Sequence, residues 1–126
     1  MLETFRRFSV TDPFGRPWDV EFRWQQNAIS IRHADAVDCK YYLASAEERR
    51  ELVVSLPHPA LIDTAREAGR EVSDAWVIRL AGLHVQHMIS TWDEMDGAIA
   101  VLSQAQVSAY NTALEEAAAR LAADRR

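Results

Sequence analysis

Three histidines carry the sharpest chemistry this sequence offers. His84 and His87 stand three residues apart, a spacing that makes two imidazoles neighbours on one helix face, where they can ligate one metal ion. His33 can add a third nitrogen from a strand, and Asp93 or Glu94 a carboxylate, leaving an open position for water. Against that set stands a plainer reading. Each ring is a neutral core histidine, hydrogen-bonded to a carbonyl, a tyrosine or a buried water. The H-x-x-H pattern recurs by accident and no spacing forces His33 towards the pair, so the plainer reading is preferred. A metal site on His33, His84 and His87 is kept as the alternative, with no catalytic residue and no cofactor assigned.

The remaining candidates are weaker. Cys39, the only cysteine, excludes an intrachain disulfide and a thiolate zinc site within one chain. As a nucleophile it would need exposure and a neighbouring base, whereas the pattern sets it mid-strand on an apolar face. A calcium loop over Trp92 to Ser103 fails because neither terminal position is a competent ligand. His58, held between two prolines, is read as part of the chain's turn into a helix. Glycine-rich phosphate loops, G-x-S-x-G and H-E-x-x-H are all missing from the sequence.

The elements that must position these residues follow from composition and periodicity. The 126 residues, 48% hydrophobic, predict a single domain over 1–126 with one core. No apolar run approaches the ~18 residues of a membrane span, and the N-terminus has no apolar stretch behind Arg6 and Arg7. A cytoplasmic address without a membrane partner is expected. Net charge is −5, with eight basic and nine acidic residues in 1–56 and six and ten in 57–126. No basic patch is available for a phosphate backbone, which argues against nucleic acid. Arg6-Arg7 and Arg49-Arg50 read as isolated, solvated pairs.

At Leu56-Pro57-His58-Pro59-Ala60 the hydrophobic period changes from two to 3.6. Residues 1–56 therefore read as a five-stranded antiparallel meander and 57–126 as a helical layer of three to four helices on one face, an α+β fold. Asp12-Pro13-Phe14-Gly15 has turn chemistry, and Gln26-Asn27 suits a two-residue hairpin loop. That loop pairs Trp24 with Ile29, Phe22 with Ile31 and Val20 with His33. A loop over Ala34-Asp35-Ala36 then pairs Ile31 with Cys39, and one over Ser45 to Arg50 sets Leu43 opposite Leu52 and Tyr41 opposite Val54. The inner face becomes Phe8, Val10, Trp18, Val20, Phe22, Trp24, Ile29, Ile31, His33, Val37, Cys39, Tyr41, Leu43, Leu52, Val54 and Leu56.

The spacing predicts a helix from Pro59 to about Ala68 stopped by Gly69, and a second from an Asp74 start, capped by Ser73, to about Ser90. Only Arg79, Gly82, Gln86 and Ser90 form a polar strip on the second helix. Its wide apolar arc, which includes His84 and His87, predicts burial on more than one side, by other helices or by a twin. Residues 98–102 fit either strand or helix. Ser103 with Gln106 makes a capping box for a last helix whose apolar stripe is Val107, Tyr110, Leu114, Ala117 and Leu121.

The expected function is a small non-enzymatic domain working through protein contacts, as a homodimer through an apolar helix surface. The alternative is a small-molecule or metal-binding protein, a hydrolase among the options. Its pocket would lie between sheet and central helix, lined by Trp18, Trp24, Tyr41, Trp76 and Trp92 beside His33, His84 and His87.

Overall fold

The computed structural model describes residues 5–29 and 35–125, and the account below concerns those residues. Four strands come first: β1 (Arg7–Thr11), β2 (Pro17–Ile29), β3 (Asp35–Ala44) and β4 (Arg49–Pro57). They are followed by α1 (His58–Ala68), α2 (Asp74–Thr91), β5 (Ile99–Val101) and α3 (Gln104–Asp124). The architecture is α+β, with a sheet ordered β1-β2-β3-β4-β5 and helices on one face.

The sheet is mixed, which corrects the expectation of a purely antiparallel meander inside 1–56. Four antiparallel strands come from that segment, and the fifth, β5, lies parallel to β4 with Val53 opposite Ile99 and Ser55 opposite Val101. A parallel neighbour needs a long crossover, and α1 and α2 supply it. Three helices are present, the lower end of the expected number.

Turn chemistry places the first hairpin. The Gly15 amide donates to the Asp12 carbonyl at 3.1 Å, and Gly15 takes φ 85°, a conformation open to glycine without strain. Gln26-Asn27 is not a turn. Both residues lie inside β2, opposite Asp38 and Val37, while Asp35 and Ala36 belong to β3 rather than to a loop. The observed partners of Val20 and Phe22 are Leu43 and Tyr41. Two long strands thus replace the three short ones expected there. Ile31 and His33 lie outside the described residues.

Between β3 and β4 the loop is shorter than expected. The Ser45 amide donates to the Glu48 carbonyl at 2.8 Å, so Arg49 and Arg50 are strand residues. Tyr41 consequently faces Leu52 and Leu43 faces Arg50, two positions from the predicted register. A slip of two preserves every side chain's face, so the predicted inner face survives at Val37, Cys39, Tyr41, Leu43, Leu52, Val54 and Leu56, all buried.

Trp24 is the exception on that face. The ladder skips Arg23, so that Phe22 faces Tyr41 but Trp24 faces Lys40. This bulge adds one residue and reverses the alternation beyond it. Trp24 therefore stands on the outer face, 38% exposed, with the Lys40 ammonium 5.8 Å from its ring centre.

The helical half follows its sequence signals closely. Gly69 caps α1 in the left-handed conformation, the Ser73 hydroxyl accepts from the Trp76 amide, and Ser103 and Gln106 form the reciprocal capping box of α3. The wide apolar arc of α2 is covered within the chain, with Trp76, Leu80, Val85, Met88 and Ile89 all buried. Gly82, expected on the polar strip, is buried too. Phe5 packs onto it so closely that a Cβ there would lie 3.0 Å from the ring. No helix among the described residues is long and apolar enough to cross a membrane.

Candidate functional site

The end of α2 and the turn behind it bring together two histidines and two carboxylates. Thr91 begins the arrangement by donating its hydroxyl to the His87 carbonyl at 2.7 Å and accepting from the Asp93 amide at 3.2 Å. Trp92 and Glu94 then adopt positive φ, 63° and 60°. Neither is glycine, so each holds a conformation that costs about 1–2 kcal/mol. The two left-handed residues turn the chain back along the helix and bring both carboxylates to the histidines. Glu94 Oε2 lies 3.4 Å from His84 Nε2, and Asp93 Oδ2 lies 3.6 Å from His87 Nε2.

From the other side α3 delivers Tyr110, whose Oη is 2.7 Å from His84 Nδ1. His84 is fully buried, whereas the His87 side chain is 47% exposed. Burial disfavours the imidazolium and holds the His84 pKa below its ordinary value, against the pull of Glu94 and with His87 adding to the depression. Burial, reinforced by Glu94, pushes the Tyr110 phenol up. A neutral His84 needs one donor and one acceptor nitrogen. With the Tyr110 hydroxyl donating to Nδ1, the proton resides on Nε2, the nitrogen 3.4 Å from the Glu94 carboxylate. The reverse tautomer would aim a lone pair at an anion. Nε2 has no hydrogen-bond partner within normal geometry, so Glu94 acts on it as a near charge.

Trp92 is pinned by a second cluster. Arg16 and Arg50 lie 5.0 and 5.5 Å from its ring centre, Trp18 and Phe14 5.8 and 5.9 Å away. Arg50 pairs with Glu48 at 2.6 Å and donates to the Met95 carbonyl, so it is not the solvated charge expected of it. Beneath, the Asp12 side chain is fully buried and accepts from the amides of Phe14 and Arg16, from Arg16 Nε and from Trp18 Nε1. Burial alone would raise its pKa; these donors outweigh it and hold the carboxyl down to about 2.

Of the three histidines named from the sequence, the structure brings two to adjacent positions and gives each its own carboxylate. The ring centres of His84 and His87 are 6.3 Å apart. His33 lies outside the described residues. Among the described residues, no group of three or more His, Cys, Asp or Glu side chains is placed to hold one metal ion. Tyr110 is the partner that sequence reasoning missed. It sits in the apolar stripe of α3, 26 residues from His84, and carries no local signal of its role. Arg16 and Arg50 are silent for the same reason.

Three of the five aromatic residues expected to line a pocket lie in the core. Trp18, Tyr41 and Trp76 are 0–1% exposed core residues between sheet and helices. Cys39 is there as well, its thiol pushed up to about 12 by burial first and then by Asp38 and Asp74. A concavity of about 930 Å³ lies instead across β1 to β4, with Arg7, Asp19, Glu21, Tyr42, Arg49 and Glu51 among its walls. On the same outer face Lys40 pairs with Glu51 at 2.8 Å, and Arg23 lies 4.7 Å from the Tyr42 ring centre. At its far side β5 presents Ile99 and Val101, 66% and 58% exposed. No protein-family model matches this chain, and no curated protein and no solved structure matches it either.

Proposed function

We propose that this chain is a small non-enzymatic domain that acts through protein contacts and works as a homodimer. The observation that carries the reading is the pair Ile99 and Val101, exposed side by side at the rim of a bare sheet face. Tyr42 and Trp24, 39% and 38% exposed, extend that apolar surface across the sheet. The charges among them are of both signs, with Lys40 and Arg49 beside Glu21 and Glu51. A surface of mixed sign does not repel a second copy of itself where a single sign would.

Two further features support this reading over an enzyme or small-molecule binder. Trp18, Tyr41 and Trp76 are buried in the sheet–helix interface, and the Tyr110–His84–Glu94 line ties α3, α2 and the following turn together. The apolar arc of α2 is covered within its own chain, and the sheet offers Trp24, Tyr42, Ile99 and Val101 as exposed apolar side chains. Light scattering across micromolar to millimolar protein tests the proposal. The expected mass is twice 14.3 kDa; a monomer mass throughout that range overturns it.

A further inference from the structure

We infer that the twofold axis of this dimer passes beside Ala100, pairing β5 antiparallel with β5 of a second copy and joining two five-stranded sheets into one. The inference rests on the homodimer reading and specifies its geometry. Backbone direction is its first support. The Val53 amide donates to the Ala98 carbonyl and the Leu102 amide to the Ser55 carbonyl, both at 2.9 Å. The even-numbered residues of this segment therefore address β4, and by alternation the N–H and C=O groups of Ile99 and Val101 point away from it. Among the described residues no strand lies on that side, since β5 ends the sheet.

Native edge strands are blunted by being very short, as the three residues of β5 are, or by a charge, a proline or a bulge. Gly97-Ala98-Ile99-Ala100-Val101-Leu102 carries no charge, proline or bulge, while β1 at the opposite edge opens with Arg7. An apolar edge free of charge, proline and bulge is a template for another strand, and a second copy supplies one that fits. Centred on Ala100, an antiparallel pair sets Ile99 of each copy opposite Val101 of the other. Those are hydrogen-bonded positions, so the two pairs make four backbone bonds and stack their apolar side chains on the outer face.

Charge selects the antiparallel sense. Asp93, Glu94 and Asp96 precede β5, and a parallel pair would bring both acidic turns together. The antiparallel sense instead carries the acidic turn of each copy away from that of the other.

Mass and amide exchange separate the two claims. At concentrations where light scattering shows a dimer, the Ile99 and Val101 amides should exchange at least ~10-fold more slowly than in dilute monomer. Val101→Pro removes one outward donor and leaves the bonds to β4 in place; Ile99→Lys installs an edge charge. Each should give a monomer with wild-type circular dichroism, whereas Leu121→Glu, on the exposed side of α3, should remain dimeric. A dimer whose Ile99 and Val101 amides exchange as fast as in the monomer overturns the edge pairing and leaves the homodimer standing. So does a dimer that survives both β5 variants, or one that Leu121→Glu dissociates. A monomer at every concentration overturns the homodimer itself.

Discussion

Tyr110→Phe removes one oxygen and almost no volume, which makes it a clean probe of how the buried histidine is held. In the native chain that oxygen is 2.7 Å from His84 Nδ1, and the His84 side chain is fully buried. The phenyl ring can keep its edge-on contact, 5.7 Å between ring centres, so the loss is confined to the hydrogen bond. Leaving a buried polar atom without its partner costs about 1–3 kcal/mol, or on the order of 3–10 °C in Tm for a chain of this size. Urea denaturation at pH 8 measures it, with the midpoint expected to fall at unchanged slope. The pH dependence supplies an independent arm. Burial depresses the folded pKa of His84 below its ordinary 6.5, so the unfolded chain takes up the proton first. The stabilising contribution of the neutral ring is complete above pH 6.5 and is lost as pH falls from there towards the folded value. A His84→Gln variant should lack that portion of the pH dependence. If Tyr110→Phe left the urea midpoint at pH 8 unchanged, the hydroxyl would not be supporting His84 and the reasoning would be refuted.

Two further substitutions test other parts of the structure. Trp18→Ala should cost about 3–5 kcal/mol, as truncation of a buried aromatic does, while Trp24→Ala, beyond the bulge, should cost under about 1 kcal/mol by chemical denaturation; equal losses would place Trp24 back on the inner face. For Asp12 the folded pKa is depressed from 3.8 to about 2, so its contribution is present above pH 3.8 and disappears as pH falls towards 2. Asp12→Asn should remove that acid-limb transition from a stability–pH curve, and an unaltered curve would show that Asp12 is not the group responsible.

Much of the fold is legible in local sequence because helix signals are local. Ser73, Gly69 and the Ser103–Gln106 box each act within four residues, and each lies where its chemistry predicts. Alternation likewise identifies the inner face from Val37 to Leu56, even though the register is two positions away. An even slip is invisible to a pattern of period two. The bulge at Arg23 is an odd shift, and it is hidden for a different reason: the sequence keeps its apolar alternation through Trp24 while the structure turns Trp24 from core to surface. Gln26-Asn27 shows the converse. A pair able to turn is drawn straight because β3 offers hydrogen-bonding partners along the whole length of β2.

The site divides along the same line. The i, i+3 spacing of His84 and His87 and the carboxylates just beyond α2 are readable as neighbours, since a helix and its following turn are local geometry. Tyr110 at Nδ1, the arginines around Trp92 and the unpaired edge of β5 are not. They depend on which elements dock together, a question settled by packing energies summed over the whole core rather than by any short stretch of chain. The sequence by itself determines the helix boundaries to within a residue or two, the inner face from Val37 to Leu56 and the proximity of two histidines to two acids. Tertiary structure alone decides that one histidine is sealed in and the other left in water, and that the fifth strand comes from residues 99–101. Both outcomes follow from where α3 and the crossover return to the sheet, contacts that join residues far apart along the chain.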